Sequence, residues 1–397
     1  MNINKLIGST LIIAGTTIGA GMLALPIVSA TFGFITSCII MTIIWAFMAY
    51  TALLMIELHQ NANVDATLNT LAYNILGRKG QILAIFAMLF LFYALCAAYI
   101  SGGGEQIYDK IKEYFEFEIP MQSGAIIFAL VIGTVVSTST RSVDLLNRVL
   151  FMIKIVVLVV MLTFLMPFTS IDNLMHMPKQ QALVFASLPV VFTSFGFHGS
   201  IPSIVRYIGK DIKALRIIMI CGSLLPLIVY ILWQFVSHGI LTQQELVQND
   251  SLTSFIKALS FVANNSYMSF LISLFANLAL ATSFLGVSLG LFDFLQDFLS
   301  KKDKKASRLL TSLVTFLPPL SFALFYPEGF IKALGFASFA LVILALFLPV
   351  MMVYKQRKNS NLNYTYKVLG GNFGLLLVVL FGSLIIIVQI LQMLKVL

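Results

Sequence analysis

Lys154 places a charge where charge is costly. It lies in Phe151-Met152-Ile153-Lys154-Ile155-Val156-Val157, inside an apolar run long enough to cross a bilayer. An ammonium there costs at least ~2.5–3.5 kcal/mol on insertion scales. Such a lysine is either a structural cation bonded to carbonyls or a group that gains and loses a proton. A second run, Ala281-Thr282-Ser283, carries two hydroxyls that could line the same site. Taken alone, a membrane Thr or Ser more often bonds the carbonyl four residues back on its own helix.

The other unusual chemistry is backbone chemistry. Gly15-Thr16-Thr17-Ile18-Gly19-Ala20-Gly21 packs three glycines and two threonines into seven residues, and Pro26 follows. Thr193-Ser194-Phe195-Gly196-Phe197-His198-Gly199-Ser200-Ile201-Pro202 has the same grammar. Glycine is poor inside a helix and proline removes a helical hydrogen bond. One such string could be a small-residue packing face, Gly15 and Gly19 having G-x-x-x-G spacing. Two, at corresponding places in two halves of a chain, predict a pair of broken helices meeting at mid-membrane. Helix N-termini at a break offer N–H groups to an anion, and unwound carbonyls take a cation. A zwitterionic amino acid satisfies both.

These residues need elements to hold them. The chain is 59% hydrophobic and 10% charged, far from the roughly 25% charged content of a soluble domain. Its solvent is therefore lipid, and only helices or closed barrels span lipid. The apolar runs last about 20 residues without alternation, which selects helix. Hydropathy predicts an all-α membrane protein with eleven spans, at 5–30, 33–58, 81–104, 122–139, 143–167, 182–208, 214–240, 266–297, 308–326, 329–353 and 371–394. Residues 5–167 and 182–353 would form two inverted repeats of five spans, with 371–394 an addition, all within one transport domain over 1–397. A short interfacial helix is expected within 59–79, and an amphipathic stretch over Ser254–Val262 that could lie over the entrance; both could equally be plain connectors.

With the N-terminus cytoplasmic, eighteen of the 25 Lys and Arg fall on the cytoplasmic side and six outside, Lys154 excepted. The six are Lys110, Lys112, Lys179, Lys257, Lys332 and Lys395, while Lys301, Lys302, Lys304 and Lys305 belong to the cytoplasmic set. This is the positive-inside pattern, and an odd span count puts the C-terminus in the periplasm. It also explains the net charge of +9 without nucleic acid. Cys38, Cys96 and Cys221 sit in apolar runs without metal-ligand spacing, so they read as small core residues. No removed signal peptide is expected. No cofactor is expected, and oligomeric state is left open. The spans hold no nucleophile elbow, His–Glu pair or metal set, which argues against an enzyme. No filter motif or charge ring suggests a channel.

Several strings resemble the bacterial hydroxy- and aromatic-amino-acid permease family, within the amino acid–polyamine–cation superfamily. They are Gly15 to Ala24, Phe192 to Ser200, Tyr93-Ala94 with Ala97 to Gly102, Leu278 to Val287, Thr315 to Leu320 and Ala323 to Pro327. The resemblance runs nearly the length of the chain. It implies the five-plus-five fold with an eleventh helix, and proton-driven uptake of an aromatic amino acid, tyrosine first, across the inner membrane. It implies that Lys154 stands where sodium-coupled relatives bind a cation, with Thr282 and Ser283 matching the hydroxyl pair of that site. Asn277 departs from the pattern, where an acidic residue is expected, and this bears on specificity or coupling. A tryptophan- or phenylalanine-preferring permease, a broader permease and a non-transport membrane protein remain alternatives.

The substrate's charged groups are expected on the backbone of Thr16, Thr17, Ile18, Gly19, Ala20 and Gly21 and of Phe195, Gly196, Phe197, His198 and Gly199. Bulk at Gly19 or Gly199 is expected to block binding. Phe195, Phe197 and Phe336 are candidates for the ring slot, although in a chain with 34 phenylalanines each reads as readily as packing. His198 could bond the ring hydroxyl or assist a proton. Tyr93, Tyr99 and Gln234 are further polar candidates.

Overall fold

A computed structural model describes residues 3–115, 119–138, 140–176, 184–263, 266–300, 307–359 and 364–396. Lys179, Lys301, Lys302, Lys304 and Lys305 lie outside the described residues. Among the described residues the fold is all helix, without strands.

Each of the predicted segments falls on helix. The first is split into α1 (Ile3–Thr17) and α2 (Gly21–Ser29), bent by 53° at the break. Then come α3 (Gly33–His59), the short α4 (Leu68–Leu76), α5 (Arg78–Phe115), α6 (Gln122–Thr138), α7 (Thr140–Leu165) and the five-residue α8 (Ile171–Met175). The second split segment is α9 (Val184–Ser194) and α10 (Ile201–Ile208). It is followed by α11 (Ile212–Ile240), α12 (Gln243–Gln248), α13 (Leu252–Ala263), α14 (Ser266–Leu299), α15 (Arg308–Phe325), α16 (Phe330–Leu341), α17 (Leu348–Arg357) and α18 (Gly371–Met393). By length and apolarity, nine helices among the described residues can cross a membrane, or ten with the bent α1–α2 pair. The 17-residue α6 is apolar but shorter. Within 59–79 there is a short helix, α4, and the amphipathic stretch after α11 is α13, preceded by a capped turn of helix.

Helix faces decide what points inward. On α7, Lys154, Leu158, Met161 and Leu165 recur at helical spacing and are buried, while Met152, Val156 and Val159 are exposed. That exposed stripe is a lipid face, so the register of α7 carries the lysine into the bundle. The same rule on α11 turns Tyr230, Trp233, Gln234, Ser237 and His238 inward. The breaks are placed differently from the prolines. Pro26 lies within α2, several residues after the interruption at 18–20, and Pro202 sits in the first turn of α10, where a missing N–H leaves no bond unmade. Glycines and packing, not proline, make the interruptions. A π-helical turn over Val342–Phe347 joins α16 to α17.

The two halves of each split helix are packed unequally. In α2 every residue but Val28 is buried. In α1 only Ser9, Thr10, Ile13, Ala14 and Thr17 are, and Ile3, Ile7, Leu11 and Ile12 are exposed. Beside α2, α13 is tied to α5: Thr253 N–H donates to Glu105, Gln106 donates to Thr253 Oγ1 at 2.7 Å, and Lys257 pairs with Asp109. On the opposite side Glu57 of α3 and Arg357 of α17 form a bidentate pair at 2.6 and 2.7 Å. Val368 N–H also donates to Glu57, at 2.8 Å, strapping the segment before α18 to the bundle.

Candidate functional site

A broken helix frees backbone groups that must find partners. At the first break each partner comes from a different helix. Tyr230 of α11 donates to the Thr17 carbonyl at 2.6 Å. Lys154 of α7 donates to the Ile18 carbonyl at 2.8 Å. The Ala20 N–H donates to Ser283 Oγ of α14 at 2.9 Å. Ser194, the last residue of α9, donates to the Gly21 carbonyl at 3.0 Å. The glycines permit this closeness. A Cβ on Gly19 would stand 2.6 Å from Ser283 Oγ, and one on Gly21 would stand 3.0 Å from Ser194 Oγ.

Lys154 is 1% exposed. Its ammonium also donates to Thr282 Oγ1 at 3.1 Å and lies 4.7 Å from the centre of the Phe151 ring. A carbonyl, a hydroxyl and a ring face thus meet its three N–H bonds. No carboxylate among the described residues pairs with it. Thr282 keeps its own proton on the Leu278 carbonyl, at 2.8 Å, which leaves its lone pair toward the lysine.

The second break, at 195–197, leads into a 3₁₀ turn over His198–Ser200. Phe195 meets Tyr230 edge-on at 5.1 Å, and Phe197 lies against His198 at 5.0 Å. Tyr230 reaches this helix too, donating to the Ser194 carbonyl at 2.8 Å. Tyr99 faces Ser283. The first break, Phe195, Tyr99, Lys154, Thr282 and Ser283 are therefore gathered in one place.

The other residues singled out in the sequence have partners of their own. The Tyr93 hydroxyl donates to the Val314 carbonyl of α15 at 2.8 Å. Phe336 packs edge-on against Phe322 at 6.2 Å. Gln234 donates to Ser29 and Ser37 Oγ at 2.9 and 2.6 Å, and His238 closes the group on Ser29 at 2.8 Å. That polar knot fastens α2 to α11. His198 Nε2 bonds Thr51 Oγ1 of α3 at 2.9 Å, and its Nδ1 is buried without a partner. Thr16 is exposed and bonds back to its own helix. The two glycines have different surroundings: around Gly199 a Cβ would meet nothing within 4 Å, so bulk there clashes with no protein atom, whereas at Gly19 it does. Asn277 lines a half-open apolar cavity of about 310 Å³ between α5, α6, α7 and α14, with its amide on the Ser273 carbonyl.

Two residues at the heart of the cluster were missed. Ser194 sits inside the second glycine string, where the glycines and not the hydroxyl carry the signal. Tyr230 had a signal: with Gln234, Ser237 and His238 it forms a polar stripe at helical spacing in an otherwise apolar span.

A family model, the tryptophan/tyrosine permease family, matches residues 2–389. The chain belongs to this family. It is 43% identical to tyrosine-specific transport system 1 of Haemophilus influenzae, over 96% of each chain. It is 34% identical to that organism's tryptophan-specific transport protein, over 97% of this chain and 96% of the relative. Glutamine transporter 2 of Aliivibrio fischeri is 35% identical over 97% of this chain and 99% of the relative. The chain is thus a membrane permease and not an enzyme.

Proposed function

We propose that the protein is a proton-coupled symporter that imports an aromatic amino acid, tyrosine first, across the bacterial inner membrane. One observation carries this reading: Lys154, buried with no carboxylate partner among the described residues, is bonded directly to the first break. A group that gains or loses a proton there acts on the segment whose carbonyls and N–H groups suit an amino acid's charged ends. The names of the tyrosine- and tryptophan-specific relatives support the ring. The glutamine transporter favours a second reading, a broader amino acid permease on the same scaffold.

In this reading the chain has eleven spans, α6 included, in two inverted repeats of five with α18 added. The N-terminus is cytoplasmic and the C-terminus periplasmic. The tight packing of α2 and the looser packing of α1 support alternating access in which the inner half-helices move against a closed outer side. Uptake of labelled tyrosine into proteoliposomes tests it. Accumulation above the outside concentration, driven by an imposed proton gradient and abolished by a protonophore, is expected. Uptake that follows a sodium gradient and ignores the proton gradient overturns the coupling. Uptake of glutamine in preference to tyrosine overturns the aromatic substrate.

A further inference from the structure

We infer that Tyr230 is the third member of the substrate's ammonium site, a binding residue that holds two helix-end carbonyls together and accepts an N–H from the bound amino group. The inference rests on the amino acid reading above.

Thr17 is the last residue of α1 and Ser194 the last of α9. Their carbonyls are helix C-terminal groups without helical partners, and each carries the negative end of a helix dipole. Both point at one oxygen, the Tyr230 hydroxyl, at 2.6 and 2.8 Å. That side chain is wholly buried. Its ring is braced edge-on by Phe195.

A phenol has a single proton. Two buried carbonyls therefore share one donor, and the group is one donor short. Neighbouring polar side chains do not fill the gap. Ser194 Oγ spends its proton on the Gly21 or Val190 carbonyl, and Gln234 is bonded to Ser29 and Ser37. What the site lacks is a cation with several N–H bonds, and an α-ammonium has three. Two would go to the Thr17 and Ser194 carbonyls. The third would go to the Tyr230 oxygen, whose lone pairs meet no donor among the described residues. The phenol keeps its proton on a carbonyl, each carbonyl oxygen having two lone pairs.

The test compares two inhibitors of labelled tyrosine uptake in proteoliposomes, L-tyrosine and 3-(4-hydroxyphenyl)propanoate, which has the same ring and carboxylate but no amino group. In Tyr230→Phe the half-inhibiting concentration of tyrosine should rise about ten-fold, the effect of one lost buried hydrogen bond. The desamino acid should inhibit as before, so the ratio between the two shrinks about ten-fold. A merely structural role would weaken both together, and an unchanged ratio overturns the inference. If the variant does not reach the membrane, N-methyl-tyrosine on the native chain takes its place. A weakening of about ten-fold, one N–H being lost, is expected; inhibition equal to that of tyrosine overturns the inference. A metal cation on the carbonyl pair would appear as sodium-dependent uptake blind to the amino group, and also overturns it. Native protein that takes up another amino acid but no tyrosine refutes the substrate reading instead.

Discussion

Gly19→Ala tests whether the first break is held by its close contact with α14. A methyl group at Gly19 would sit 2.6 Å from Ser283 Oγ but 3.8 Å from Ser283 Cβ. The clash is therefore with one oxygen, not with the helix behind it. To make room, the hydroxyl must swing away and the Ala20 N–H loses its 2.9 Å bond. The swing relieves the overpacking, itself worth about 1–3 kcal/mol, and leaves a buried N–H without a partner at a similar cost, so about 1–3 kcal/mol is lost in all. With ten-fold per 1.36 kcal/mol, initial uptake per transporter should fall about 10- to 100-fold. Gly286→Ala on α14 is the control, since a Cβ there meets nothing within 4 Å; its uptake should stay within about two-fold of native. The decisive variant is Gly19→Ala combined with Ser283→Ala. Removing the oxygen removes the clash, so the double variant should transport no worse than Ser283→Ala alone. Rates are read as initial uptake divided by transporter abundance on immunoblots. Losses that multiply across the two substitutions would refute the reasoning, because residues in contact should be coupled by about 0.5–3 kcal/mol.

Lys154→Ala should abolish accumulation driven by a proton gradient and leave tyrosine exchange across the membrane in place; normal uphill uptake would sink the coupling role. Glu57→Gln should lower thermal stability in detergent strongly, by about 3–5 kcal/mol, because Glu57 is 1% exposed and answers both Arg357 and the Val368 N–H; an unchanged melting temperature would show the strap to be idle. Gln234→Leu leaves Ser29 and Ser37 without their shared donor. About 1–3 kcal/mol of stability should be lost, and a melting curve identical to native would refute that role for the knot.

The helices were legible because lipid imposes one rule on every span. The site was legible where chemistry was out of place: Lys154 in an apolar run, glycines in clusters. It was illegible where the partner is remote in sequence. Lys154 and Thr282 are 128 residues apart, and Tyr230 and Thr17 are 213 apart. His198 is a case where spacing says little. The direction of a side chain from a 3₁₀ turn depends on local dihedrals that spacing does not reveal, and its Nε2 meets Thr51. Gly199 likewise looks like Gly19 on paper, and only its surroundings distinguish them.

The arrangement at 17–18 bears on why the proposed transport is symport and not exchange of a proton for substrate. Consecutive carbonyls in an unwound segment do not point the same way. Here the Thr17 carbonyl turns to Tyr230 on α11 and the Ile18 carbonyl to Lys154 on α7. Had a single carbonyl served both the lysine and the substrate's ammonium, each cation would displace the other, and the thermodynamic link would be negative. Separate carbonyls on adjacent residues let both be present at once, while any shift of the segment is felt by both. The same separation is why Lys154→Ala is expected to spare exchange: the amino-group carbonyls at Thr17 and Ser194 keep their geometry through Tyr230. If that variant instead lost all binding of tyrosine, the two sites would share more than a backbone, and the case for co-occupancy would fall.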